Sequence, residues 1–192
     1  QICESIKIMT EYTDEYILKL TDKPGTRERG LTLLIDKYKE RIYWHIRRLV
    51  VSHEDAQDVM QETFINVFRF IDKFEKGSKL YTWLYRIATN ECIKLFRKKR
   101  DIYTSLEEAG GSLLGSYQTF GSDDGDKIVE RFQEALLKLP EKQRIVFNLR
   151  YYDELPYEEI SKILDTNVGS LKTSYHYAYQ KIKEEMLNSE IL

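Results

Sequence analysis

Residues 157–183 read YEEISKILDTNVGSLKTSYHYAYQKIK. Two helical patterns flank a short break at DTNVG, residues 165–169. In the second pattern Val168, Leu171, Tyr175, Ala178 and Ile182 recur at steps of 3, 4, 3 and 4, which makes one buried stripe. Thr173, Tyr177 and Gln180 point away from that stripe, with Ser170 and His176 at its edges. Tyr157, Ile160, Ile163 and Leu164 form the apolar set of the preceding helix. Two short helices joined by a tight turn predict a helix-turn-helix, whose second helix enters the DNA major groove. An ordinary helical hairpin carries the same pattern. Asp165 stands where glycine often opens such a turn, and aspartate tolerates the left-handed region better than most residues.

The rest of the chain extends the helical reading. EKQRIVFNLRYY (141–152) follows the break at Pro140, and helical periodicity begins upstream at Ile128. TSLEEAGGSLLGSYQTFGSDDGD (104–126) is rich in glycine, serine and acid and reads as a flexible tether, with an ordered surface loop as the alternative. Farther upstream, Leu31, Leu34, Ile35, Tyr38, Ile42, Ile46 and Leu49 mark a first strong helix. A second begins after Ser52, a good N-cap, with Val59, Phe64, Val67, Phe68 and Ile71 as its stripe. FEKGSK (74–79) breaks it, and WLYRIATNECIKLFRKKR (83–100) resumes. The expected fold class is all-α: two small helical domains joined by a flexible acidic linker, the second a helix-turn-helix. The expected boundaries are 1–30 for an N-terminal extension and first helix, 31–103 for the first domain, 104–126 for the linker and 127–192 for the second domain.

Composition limits the function classes. Of 192 residues, 42% are apolar and 32% charged, the balance of a folded globular chain. No apolar run is long enough to cross a bilayer, so no membrane insertion is expected. Gln1–Thr10 lacks the apolar centre of a signal peptide, and Met9 is the expected start of translation. Two cysteines and three scattered histidines offer neither a disulfide framework nor metal-ligand spacing, so a reducing cytoplasm and no cofactor or metal are expected. No nucleophile–base pair and no phosphate-cradling glycine loop argue for an enzyme.

The net charge of −2 hides a division. Residues 31–100 carry 15 lysines and arginines against 9 acids, whereas 101–134 carry 2 against 8. The basic block ends in the helix at 83–100. At 100° per residue, Leu84, Ile87, Ala88, Cys92 and Leu95 share one side, and Arg86, Asn90 and Arg97 lie opposite, with Thr89, Ile93 and Arg100 nearby. Glu91 falls inside the apolar stripe, where periodicity gives it no role. The cationic end fits either a solvated helix C-terminus or a nucleic-acid face in which asparagine reads base edges and arginine meets phosphate. Between two such segments, the helix at 54–69 presents Asp55, Asp58, Gln61, Glu62 and Asn66. A negative face would repel DNA and suits a basic protein partner.

DAQDVMQETFINVF, YTWLYRIATNECIKLFRKKR, LPEKQRIVFNLRYYDELPYEEISKIL and VGSLK, in that order, resemble the extracytoplasmic-function group of sigma-70 transcription factors from about Leu31 to Met186. The resemblance implies an alternative sigma factor that binds core RNA polymerase and directs promoter recognition and transcription initiation, without enzymatic activity. It implies that the first domain is region two and the second region four. Asp55, Asp58, Gln61, Glu62 and Asn66 then match the surface that docks on the β′ clamp helices, and the β subunit is a further contact. Phe74–Leu80 matches the loop that captures a minus-ten base. Phe74, Lys79, Arg86, Asn90, Arg97, Lys98 and Arg100 form the expected minus-ten set. Ser170, Lys172, Thr173, His176, Tyr177 and Lys181 form the minus-thirty-five set. The acidic segment matches the linker that threads polymerase, and an anti-sigma factor is a further expected partner.

Relatives usually carry arginines after VGSLK, yet Ser174, Tyr177 and Tyr179 stand here instead. Readout through hydroxyl and imidazole hydrogen bonds is therefore expected to outweigh phosphate neutralisation. The alternatives are a stand-alone helix-turn-helix regulator and a sigma-like module that sequesters a partner.

Overall fold

The computed structural model describes residues 12–75, 77–108 and 127–188. Among these, the chain forms helices α1 (Asp14–Thr21), α2 (Arg27–Val50), α3 (His53–Phe70), α4 (Leu80–Glu108), α5 (Lys127–Leu137), α6 (Glu141–Tyr151), α7 (Tyr157–Leu164) and α8 (Val168–Asn188). Short 3-10 turns occupy Pro24–Thr26 and Ile71–Lys73. The chain divides into two compact units, Gln1–Leu95 and Phe96–Leu192. No helix among the described residues is long and apolar enough to cross a membrane.

Residue 104, where the tether was expected to begin, lies within α4. Residues 104–108 complete α4, because TSLEE contains neither glycine nor proline and the first helix breakers are Gly110 and Gly111. Residues 109–126, which hold the rest of the expected linker, lie outside the described residues.

In the first unit α2 supplies the central stripe, with Leu31, Leu34, Ile42, Ile46 and Leu49 buried. Helix α1 lies antiparallel along its first half. At one end Asp14 Oδ1 accepts from Lys37 Nζ at 2.5 Å and from the Tyr38 hydroxyl at 2.8 Å. Burial, then this hydrogen bond, pushes the Tyr38 phenol above its ordinary range. At the other end a Cβ on Gly30 would meet the backbone nitrogen and Cγ2 of Thr21 at 2.8 Å, so only glycine permits this approach. Between the ends, Ile17 fills the interface.

The turn from α2 to α3 is strained. Val51 has φ 67° and ψ −46°, and Ser52 N donates to Val50 O at 2.8 Å across it. A β-branched residue at positive φ in a three-residue turn is disfavoured by about 1–3 kcal/mol. Ser52 then caps α3 as expected, its Oγ accepting from Asp55 N at 3.3 Å.

The α3 stripe is shifted from the expected one. Ala56, Val59, Thr63 and Val67 are buried, whereas Phe68 is 46% exposed and Phe64 half-buried. Small residues let α3 approach its neighbours, and the Thr63 hydroxyl is satisfied by Val59 O at 2.7 Å, which removes the usual penalty for burying it. Helix α4 buries Leu84, Tyr85, Ala88 and Cys92. Thr89, expected near the polar face, is also buried, and its hydroxyl hydrogen-bonds His45 Nε2 at 3.0 Å.

In the second unit Ala135, Leu136, Leu139, Phe147, Ala178 and Ile182 form one core, with Phe132, Tyr152, Tyr175 and Met186 packed against it. Tyr175 is half-buried and stacks on Phe147 at 5.5 Å and 11°. The turn between α7 and α8 follows the sequence reading: Asp165 is left-handed at φ 49° and ψ 49°. Thr166 N donates to Ser161 O at 3.3 Å, and Asn167 Oδ1 accepts from Ser170 N at 2.8 Å to start α8.

Candidate nucleic-acid interface

On α3 the cap at Ser52 and the buried stripe together fix which residues face outward. Asp58, Gln61 and Glu62 are exposed and Asp55 is half-buried. Asn66 differs from the other members of the expected docking set. Its Nδ2 donates to Glu91 Oε1 on α4 at 2.9 Å, and Lys94 Nζ donates to the same oxygen at 2.6 Å. This accounts for Glu91 inside the α4 apolar stripe. Its carboxylate is 11% exposed and is compensated by an amide from one helix and an ammonium from its own.

The 3-10 turn Ile71–Lys73 leads into the segment expected to capture a base. Arg27 reaches Asp72 here with two hydrogen bonds, at 2.5 and 2.8 Å, and these hold the Asp72 carboxyl below its ordinary range. Phe74 is 8% exposed, and its ring packs edge-on against half-buried Trp83 at 5.5 Å. The ring thus anchors the segment rather than projecting from it. Lys79 is exposed, with Nζ 3.3 Å from the Tyr81 hydroxyl.

Along α4, Arg86, Asn90, Arg97, Lys98 and Arg100 are all exposed. Leu84, Ala88 and Cys92 bind the helix to the first unit and turn Arg86 and Asn90 outward. The result is one amide able to donate and accept, accompanied by several cations.

On α8, Ser170, Lys172, Thr173, His176, Tyr177 and Lys181 are exposed, while Leu171, Ala178 and Ile182 are buried. The His176 and Tyr177 rings meet edge-on at 6.0 Å, and Tyr177 is 56% exposed. Thr173 makes a bond within its own helix. Its hydroxyl donates to Gly169 O at 3.0 Å, one turn back on its own helix, so its proton is not offered outward.

Sequence reading missed Arg150 and Tyr157 beside this helix. Arg150 Cζ lies 5.2 Å from the centroid of the Tyr157 ring and Lys172 Nζ 5.8 Å from it. The ring gathers cations from two other helices. No periodicity within one helix signals such a cluster, because only the fold brings α6, α7 and α8 together.

Known proteins resemble the chain over both units. The sigma-70 region 2 family matches residues 34–102, and the sigma-70 region 4 family matches residues 129–182. The ECF RNA polymerase sigma factor SigW of Bacillus subtilis is 38% identical over 162 residues, covering 80% of this chain and 87% of that protein. The RNA polymerase sigma-H factor of Pseudomonas aeruginosa is 28% identical over 196 residues, covering 93% and 96%. Among solved structures, the sigma factor RpoE in complex with the anti-sigma factor NepR from Bartonella quintana shares the fold. Its TM-score is 0.65 at 23% identity, covering 83% of this chain and 95% of that one. With both regions present in order, and a relative of this similarity spanning most of its length, the chain belongs to the extracytoplasmic-function family of sigma-70 factors.

Proposed function

We propose that this chain, as an alternative sigma factor of the cytoplasm, joins core RNA polymerase through α3 and holds promoter DNA through α4 and α8. The observation that carries the reading is the segregation of chemistry on separate helices. An acidic face with Asp58 and Glu62 exposed stands on α3, and a cationic face with Asn90 stands on α4. A stand-alone helix-turn-helix regulator would leave the α3 face without a partner. The chain works by binding and positioning, not by covalent chemistry.

In this reading Asp55, Asp58, Gln61 and Glu62 meet the β′ clamp helices, and Asn66 supports that face from its bond to Glu91. Residues 31–103 serve the polymerase and minus-ten contacts, and residues 127–192 the minus-thirty-five contacts. Phe74 acts as the anchor of its loop. Arg150 joins Lys172 as a phosphate contact at the edge of α8. An anti-sigma factor that covers these faces would silence the chain.

The test is charge reversal. Asp58 and Glu62 are exposed, so Asp58→Lys with Glu62→Lys should leave the fold intact, while placing like charges against a basic clamp surface. Core binding should be lost in a holoenzyme assembly assay. Assembly at unchanged affinity would refute the docking face.

A further inference from the structure

On the outward face of α8, Thr173 has its one hydroxyl proton already engaged. Its hydroxyl proton goes to Gly169 O at 3.0 Å, so the hydroxyl is folded against its own helix. The other branch at Cβ is the Cγ2 methyl, and the residue as a whole is exposed. Tyr177, one turn on, adds an exposed ring, and the edge-on His176 adds a second. The centre of this face therefore sets a methyl-bearing side chain beside two aromatic rings, with Lys172 and Lys181 at its flanks.

Among the four bases, thymine alone offers a methyl group in the major groove. Its O4 is an acceptor and needs a donated proton, which Thr173 has already spent on Gly169. We infer that Thr173 is a specificity-determining residue of the upstream promoter element, selecting thymine by contact between Cγ2 and the thymine 5-methyl group, with Tyr177 closing the apolar contact. The inference rests on the proposed role of α8 as the upstream reader. It replaces the hydrogen-bonding role that the sequence suggested for Thr173.

The experiment uses the full chain assembled with bacterial core polymerase and promoter fragments randomised in the upstream element. One pool carries thymine, and a second carries deoxyuridine in its place throughout that element. Uracil pairs as thymine does and lacks only the methyl. Bound fragments are recovered and sequenced. Thymine should be enriched at one position or more, and the enrichment should fall about fourfold in the uracil pool, the scale of one buried methyl. Thr173→Ser keeps the back-bonded hydroxyl and removes the methyl, so it should lose the enrichment and respond equally to both pools. Thr173→Val keeps a methyl and removes the hydroxyl, so it should retain the enrichment. Equal enrichment in the two wild-type pools, or a loss in Thr173→Val matching that in Thr173→Ser, would overturn the inference while leaving α8 as the reader. Fragments that bind and open with no base enriched in the upstream element would overturn the role of α8 itself.

Discussion

The two helices assigned to DNA are made of different materials. Helix α4 sets one amide, Asn90, among Arg86, Arg97, Lys98 and Arg100, all exposed. Helix α8 sets two rings and a methyl between two lysines. Cations bind phosphate whatever the sequence and weaken as salt rises, whereas contacts to base edges carry sequence information. On the proposed roles, the difference gives general affinity to α4 and discrimination with little electrostatic support to α8.

Substitutions on each helix can break that contrast. The largest effect is expected from Asn90→Ala, which removes the amide and keeps the cations around it. Minus-ten discrimination should fall by about 1–3 kcal/mol, the range of a specific base contact. Open-complex formation on a set of minus-ten base variants measures it, and the salt slope should not change. Equal discrimination by the variant and the parent would give Asn90 a structural role. A smaller effect is expected from Tyr177→Arg, which makes α8 resemble α4. One added phosphate contact steepens the log–log salt dependence by about 0.9 on duplex DNA. Holoenzyme binding to upstream duplex across a salt series reads this directly. An unchanged slope and affinity would turn Tyr177 away from the DNA backbone.

The smallest effect on DNA, expected to be none, comes from Val51→Gly. Glycine relieves the positive φ of 67° in the α2–α3 turn, and the gain is reduced by glycine's greater freedom in the unfolded chain. A net rise of about 1 kcal/mol in unfolding free energy is expected by denaturant titration, with α4 and α8 unaltered. This variant keeps a loss on α4 or α8 from being confused with a loss of fold. A destabilised variant would mean that the valine side chain contributes more through packing than its backbone costs.

The legible features were those set by neighbours in sequence. The Ser52 cap, the left-handed Asp165 and the helix-turn-helix pattern all depend on residues a few positions apart, and each appears as read. Contacts between distant segments were not legible. Glu91 made no sense in its own helix because Asn66, which completes its site, is 25 residues away. Thr89 looked polar until His45 was found beside it, and Phe74 looked available for stacking until Trp83 covered it. Val59, Val67 and Ile71 are buried as expected, but Ala56 and Thr63 were passed over on α3 because large residues, Phe64 and Phe68, were favoured over small ones. Alanine and threonine carry a weak hydrophobic signal, yet they are what a close helix crossing selects. The acidic α3 face was nonetheless legible, because exposed residues need no partner within the chain to be recognised.

The bond between Asn66 and Glu91 has a thermodynamic consequence. It joins the helix proposed to face polymerase to the helix proposed to face the promoter, and Glu91 is the immediate neighbour of Asn90. On the proposed roles, a partner that shifted either helix would alter this bond, and the two occupancies would then be interdependent. Linkage requires the dependence to be reciprocal: the factor by which polymerase raises promoter affinity is the factor by which promoter raises polymerase affinity. A single amide–carboxylate contact would then let each macromolecule register the other's presence, and a chain that had lost one would release the other sooner.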